Sequence, residues 1–184
     1  MEPAFAQRNV CTEDDYYNLP ENIRSELING QFYNMAAPSR IHQEILMFLS
    51  KKIANFIDSK NGSCKVYPAP FAVKLFNDSK TIVEPDISVI CDRSKLTDKG
   101  CSGAPDWIIE IVSPSNPGHD YVRKLNLYAD AGVREYWIVD PLSETISVYH
   151  LEKKNFRATA YNLQALVQSY IFNDLYINFK ELNL

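Results

Sequence analysis

The stretch Asp106–Asn116, "DWIIEIVSPSN", begins as a fully buried strand and carries a carboxylate at its centre. Ile108, Ile109, Ile111 and Val112 surround Glu110 with hydrocarbon. An ionised carboxylate left there without a partner costs several kcal/mol, so Glu110 has either a structural partner or a chemical task. The prolines of "SPSNPG" end the strand. A helix is expected from about Gly118 to Ala131, stopped by Gly132. "REYWIVD" and "TISVYHL" follow as strands joined by a turn at Pro141-Leu142-Ser143, and the pattern fades from about Phe156.

Toward the N-terminus, "TIVEPDISVIC" reads as one long strand, preceded by the short strands "CKVYPAP" and "FAVKLF". "DRSKLTDKGCSG" reads as a polar connection. A helix opens at Pro38-Ser39 and closes at Asn61-Gly62, with Ile41, Ile45, Phe48, Leu49, Ile53, Phe56 and Ile57 as its apolar stripe. "SELINGQFYNM" is a hairpin turning at Asn29-Gly30, the dipeptide favoured by a type I′ turn. Thr12 with Asp15 three residues on predicts a short helix, and residues 1–10 are expected to form a loose tail. This order predicts a single α/β (α+β) domain over residues 1–184, one sheet with few helices.

Of the 184 residues, 46% are hydrophobic and 23% charged, ordinary values for one globular core. No apolar run is long enough to span a bilayer and the N-terminal residues do not read as a short basic-then-apolar leader, so no membrane partner and a cytoplasmic location are expected. Cys11, Cys64, Cys91 and Cys101 are widely spaced, without zinc-type grouping, and are expected as free thiols. The net charge of −4 argues against nucleic-acid binding by charge alone. A nucleic-acid role would need a local basic patch, a dimer surface or bound metal.

Side chains alternate faces along a strand, which sets Ile82, Glu84, Asp86, Ser88 and Ile90 on one side of "TIVEPDISVI". Glu110 shares a face with Ile108 and Val112. If the two strands are neighbours, Asp86 and Glu110 meet, and a divalent cation would relieve their repulsion. The alternative is a basic partner for Glu110 and a capping or kinking role for Asp86 beside Pro85. On the following helix Asp120, Lys124 and Tyr128 stand four residues apart on one face. They form either a solvated stripe or a set that brings Lys124 over the strand ends.

The ordered series Glu26 and Gly30, His42, Pro85-Asp86, "EIVSPSN", Lys124 and Tyr128, then "GVREYWIVDP" resembles the PD-(D/E)XK nuclease superfamily. Within it the chain is similar to the Uma-two family of predicted bacterial endonucleases. The resemblance implies a restriction endonuclease-like mixed sheet flanked by helices. It also implies Mg²⁺-dependent (or Mn²⁺-dependent) hydrolysis of DNA phosphodiesters. Asp86, Glu110 and the Ile111 carbonyl would hold the metal, which would lower the pKa of the attacking water. The superfamily expects a lysine two residues after Glu110, where Val112 stands. The resemblance moves that role to Lys124 and leaves Glu26, His42, Asp120 and Tyr128 as accessory candidates. Glu26 could bind a second metal or a water, or be a surface hairpin carboxylate. Tyr136 and Trp137 read as core or dimer packing. A homodimer is expected from the lack of a basic surface. The competing function is a non-catalytic nuclease-fold module that binds nucleic acid or a protein partner.

Overall fold

A computed structural model describes residues 10–113, 119–153, 157–182 and 184, with backbone alone at positions 119, 120 and 122. The expected tail at residues 1–9 and most of the "SPSNPG" loop lie outside these residues. Helix α1 (Glu13–Tyr17) precedes the hairpin β1 (Ser25–Ile28) and β2 (Gln31–Asn34), then α2 (Arg40–Ser59). Next come β3 (Lys65–Pro68), β4 (Val73–Lys74), β5 (Ile82–Val83), β6 (Ile87–Ile90), β7 (Leu96–Thr97) and β8 (Gly100–Ser102). Strand β9 (Trp107–Ile111) leads to α3 (His119–Ala131), β10 (Glu135–Asp140) and β11 (Thr145–His150). The chain ends with β12 (Thr159–Asn162), β13 (Leu166–Gln168), β14 (Tyr176–Asn178) and a short 3₁₀ turn, Phe179–Glu181.

Local signals account for the boundaries. The Thr12 N–H donates to the Asp15 carboxylate at 2.9 Å, the capping arrangement that starts α1. Asn29 and Gly30 take φ of 51° and 78°, as a type I′ turn requires. Ser39 caps α2 by accepting the His42 N–H at 3.2 Å, and Asn61 closes the helix with φ 51°. The buried face of α2 is His42, Ile45, Leu46, Leu49, Ile53 and Ile57. Ile41, expected in the stripe, is exposed, at the edge of the helix face that His42 and Ile45 bury.

The described strands form two six-stranded sheets where one was expected, in the orders β2-β1-β5-β4-β8-β7 and β12-β11-β10-β9-β6-β3, plus the ribbon β13-β14. The single strand expected over "TIVEPDISVIC" is therefore corrected. It breaks at Glu84-Pro85-Asp86, so that β5 belongs to the first sheet and β6 to the second. Pro85 has no N–H to give a ladder, and its position suits such a break. The "DRSKLTDKGCSG" connection likewise contains the antiparallel pair β7–β8.

In the second sheet β9 pairs antiparallel with β6 and parallel with β10, with α3 as the crossover. One face buries Ile87, Val89, Trp107, Ile109 and Trp137 against α2 and the C-terminal ribbon. The two tryptophan rings meet edge-on, 4.8 Å between centroids. The other face packs Ile90, Ile108, Tyr128 and Tyr136 with residues of the first sheet and α3. Tyr136 and Trp137 are fully buried core residues.

The free-thiol expectation holds for Cys11 and Cys101 and is corrected for the other two, since Cys64 and Cys91 form a disulfide with an S–S distance of 2.07 Å. They extend the Lys65–Ile90 register of β3 and β6 by one position, which sets them opposite each other. Sequence spacing does not reveal that juxtaposition.

Candidate active site

The register Ile87–Ile109 and Ser88–Ile108 continues to put Asp86 opposite Glu110, at the end of β6 where the chain leaves one sheet for the other. Asp86 Oδ2 accepts the Ile111 N–H at 2.7 Å, a bond that ties the break to β9. His42 Nε2 lies 3.1 Å from the same oxygen, carried there by the capped first turn of α2. The His42 Nδ1 atom is buried without a hydrogen-bond partner among the described residues.

Glu110 is answered from α3. Lys124 Nζ donates to Glu110 Oε1 at 3.0 Å and to the Glu26 carboxylate at 2.9 Å. Tyr128 donates its hydroxyl to Glu110 Oε1 at 2.6 Å. Glu26 also accepts the Glu84 N–H at 3.0 Å, so the hairpin, the strand break and α3 meet at one carboxylate. Glu26 is thus a buried bridge to Lys124, and its reading as a surface carboxylate is corrected. Lys124 and Tyr128 are buried too; the solvated-stripe reading of α3 does not hold for them. The Asp120 side chain lies outside the described residues.

Burial is the largest influence on Glu110 and pushes its carboxyl up to about 7. Asp86 and Glu26 push the same way, while the Lys124 ammonium and the Tyr128 hydrogen bond oppose them. Burial, then the Glu110 charge, raises the Tyr128 hydroxyl well above the usual tyrosine range and keeps it a donor. These contacts engage Glu110 Oε1 and Asp86 Oδ2. No group of three or more His, Cys, Asp or Glu side chains converges to hold a metal among the described residues. Any ion here would rely on two carboxylates, a carbonyl and water, a mixture that suits Mg²⁺. The Ile111 carbonyl faces this region and accepts the Tyr121 hydroxyl at 3.4 Å.

The site opens into a cleft of about 580 Å³ lined also by Arg24, Tyr33 and Arg123. Glu84 accepts from Tyr16 and from Arg24, each at 2.8 Å, and the second bond holds Arg24 at the cleft's edge. Sequence reading missed these three lining residues. Asn29-Gly30 marked the hairpin, but nothing local showed that its strand would wall the cleft.

The family model for Uma2, described as "Putative restriction endonuclease", matches residues 13–179. The chain belongs to the Uma2 family. A Synechocystis sp. protein, the uncharacterized slr1290, is 29% identical over 140 residues, which cover 74% of this chain and 72% of that protein. A crystal structure from Anabaena variabilis ATCC 29413, titled a "putative nuclease belonging to DUF820", superposes with a TM-score of 0.77 at 25% identity. That match covers 93% of this chain and 96% of the other. The fold here is the mixed-sheet, nuclease-like one expected from the sequence. Among the described residues, no helix is long and apolar enough to cross a membrane.

Proposed function

We propose that this Uma2 protein is a Mg²⁺-dependent endonuclease that hydrolyses DNA phosphodiesters at the Asp86–Glu110 pair, with Mn²⁺ able to substitute. The observation that carries the reading is the reach of Lys124 Nζ to Glu110, 3.0 Å away. It supplies from α3 the cation that Val112, just past β9, does not supply. Asp86 and Glu110 would hold the ion, with the Ile111 carbonyl. When bound, Mg²⁺ supplies Lewis acidity to the phosphate and acidity to its water. Lys124 orients the attacking water and offsets the charge growing on phosphorus. That water forms the new P–O bond, the bond to the leaving oxygen breaks, and the leaving oxygen takes up a proton. Tyr128 and Glu26 hold Glu110 and Lys124 in place, and His42 orients Asp86.

The chain's net charge of −4 favours one other reading, a nuclease-fold module that binds nucleic acid or a protein without cutting. A homodimer would supply the surface that an acidic monomer lacks. We also propose a cytoplasmic location, where the Cys64–Cys91 disulfide would be exposed to reducing conditions. Calorimetric Mg²⁺ titration with a DNA cleavage assay tests the catalytic reading. Wild type is expected to bind the ion and cut. Asp86→Ala and Glu110→Ala are expected to lose both while keeping their circular dichroism. Wild type that binds no divalent ion sinks the reading.

A further inference from the structure

The acidic pair lines the cleft and is largely buried there. Asp86, Glu110 and Lys124 keep only 9%, 5% and 3% of their surface exposed. The cleft volume, about 580 Å³, is in the range that encloses a compact small ligand. A phosphodiester must therefore enter the cleft to reach both carboxylates, and its sugar and base come with it. In a duplex that base is tied to the opposite strand. In a single strand it is free to turn inward.

One wall of the cleft is built to receive such a base. The Arg123 guanidinium lies 4.0 Å from the centre of the Tyr33 ring, and both residues line the cleft. Tyr33 is half-buried on β2 and Arg123 is exposed on α3. Aromatic rings and guanidinium planes are the surfaces on which unpaired bases stack.

Charge points the same way. Among the described residues the cationic side chains lining the cleft, apart from His42, are Arg24, Arg123 and Lys124. Arg24 is paired with Glu84 at 2.8 Å, and Lys124 bridges two glutamates. Duplex binding draws much of its affinity from many phosphate contacts, which this cleft does not offer. Stacking on a single strand compensates for scarce charge.

We propose that the substrate of this cleft is a single strand of DNA, one base of which stacks on the Tyr33–Arg123 platform while the adjoining phosphate meets Asp86 and Glu110. The proposal rests on the nuclease reading above and names its substrate class. Tyr33 and Arg123 are binding residues and take no part in the bond-making step.

The test is fluorescence anisotropy in EDTA with a labelled DNA strand, the blunt duplex of the same sequence and the RNA strand. Reading binding without metal separates this proposal from failure of the Mg²⁺ site. The DNA strand is expected to bind about tenfold tighter than the duplex, and Tyr33→Ala to weaken the strand by about tenfold. Tyr33→Phe keeps the ring and is expected to restore strand binding. Arg123→Ala, at an exposed position that does not threaten folding, is expected to weaken the strand more than the duplex. No preference for the strand over the duplex overturns the proposal, as does an equal loss on both with Tyr33→Ala and Arg123→Ala. RNA bound tenfold tighter than DNA overturns the choice of DNA.

Discussion

Lys124 makes two buried glutamates compatible with folding. Its ammonium touches Glu26 and Glu110, and all three side chains are almost fully enclosed. Removing one partner of a buried charge set strands the rest, at about 3–5 kcal/mol. Lys124→Met is therefore expected to destabilise the metal-free protein by about 3 kcal/mol, with Glu110→Gln added to it recovering part of the loss. Urea denaturation of the wild type, both singles and the double variant measures this; a Lys124→Met protein as stable as wild type would refute it. Glu110 also gives a pH dependence with a definite sign. Its carboxyl is raised from 4.5 to about 7 in the folded chain, so between those values the native state holds a proton that the unfolded chain has released. Stability from this group is complete below the unfolded value and is lost as pH climbs through the folded one. The metal-free wild type is expected to lose on the order of 2 kcal/mol between pH 5 and pH 8 from this source, and Glu110→Gln to show a flatter profile. Denaturant midpoints across that range decide it, and parallel profiles would exclude Glu110 as the cause.

Glu135, at the start of β10, shows how one residue can tie elements together. Its carboxylate accepts from Trp137 Nε1 at 2.6 Å, Ser169 Oγ at 2.8 Å, and the Tyr170 and Ile171 N–H groups at 2.9 and 3.0 Å. Glu135→Ala leaves these buried donors unanswered, at about 2–3 kcal/mol. The loss is expected in the ribbon β13–β14 first: amide exchange at Val167 and Ile177 should quicken well before exchange at Ile109 in β9. Equal acceleration at all three would mean global unfolding instead. Such ties across the chain explain what sequence reading reached and what it missed among the elements. The hairpin, α1, α2 and α3 announced themselves through caps, Asn-Gly and apolar spacing, all written within a few neighbouring residues. The break at Glu84-Pro85-Asp86 was read as one strand because alternation assigns faces and says nothing about which sheet each half joins. Lys124 and Tyr128 left burial open for a similar reason. A stripe of that spacing is solvated unless distant strands supply partners, and Glu26 and Glu110 do so from 98 and 14 residues away.

At the scale of the whole molecule, the site sits where the chain passes from one sheet to the other, with α2 delivering His42, α3 delivering Lys124 and the β1–β2 hairpin closing one wall. Asp86 and Glu110 were legible as a pair because cross-strand facing follows from alternation once the strands are taken as neighbours. The cleft that surrounds them was not legible, because Arg24, Tyr33 and Arg123 are brought together only by the packing of three elements. Its walls set how the molecule can treat a polyanion. The chain carries −4 overall, so attraction at long range is weak and affinity must come from within the cleft. Each phosphate neutralised on a single strand contributes about −0.7 to the slope of log affinity against log salt. With Arg24, Arg123 and Lys124 as the cleft's lysine and arginine side chains among the described residues, the slope is expected to be no steeper than about −2. Strand binding measured between about 50 and 200 mM salt gives that slope directly. Arg123→Ala should flatten it by less than one unit and leave a salt-insensitive remainder from stacking on Tyr33. A slope several units steeper would mean that the nucleic acid runs over a basic surface outside this cleft, as in a dimer that joins two such surfaces.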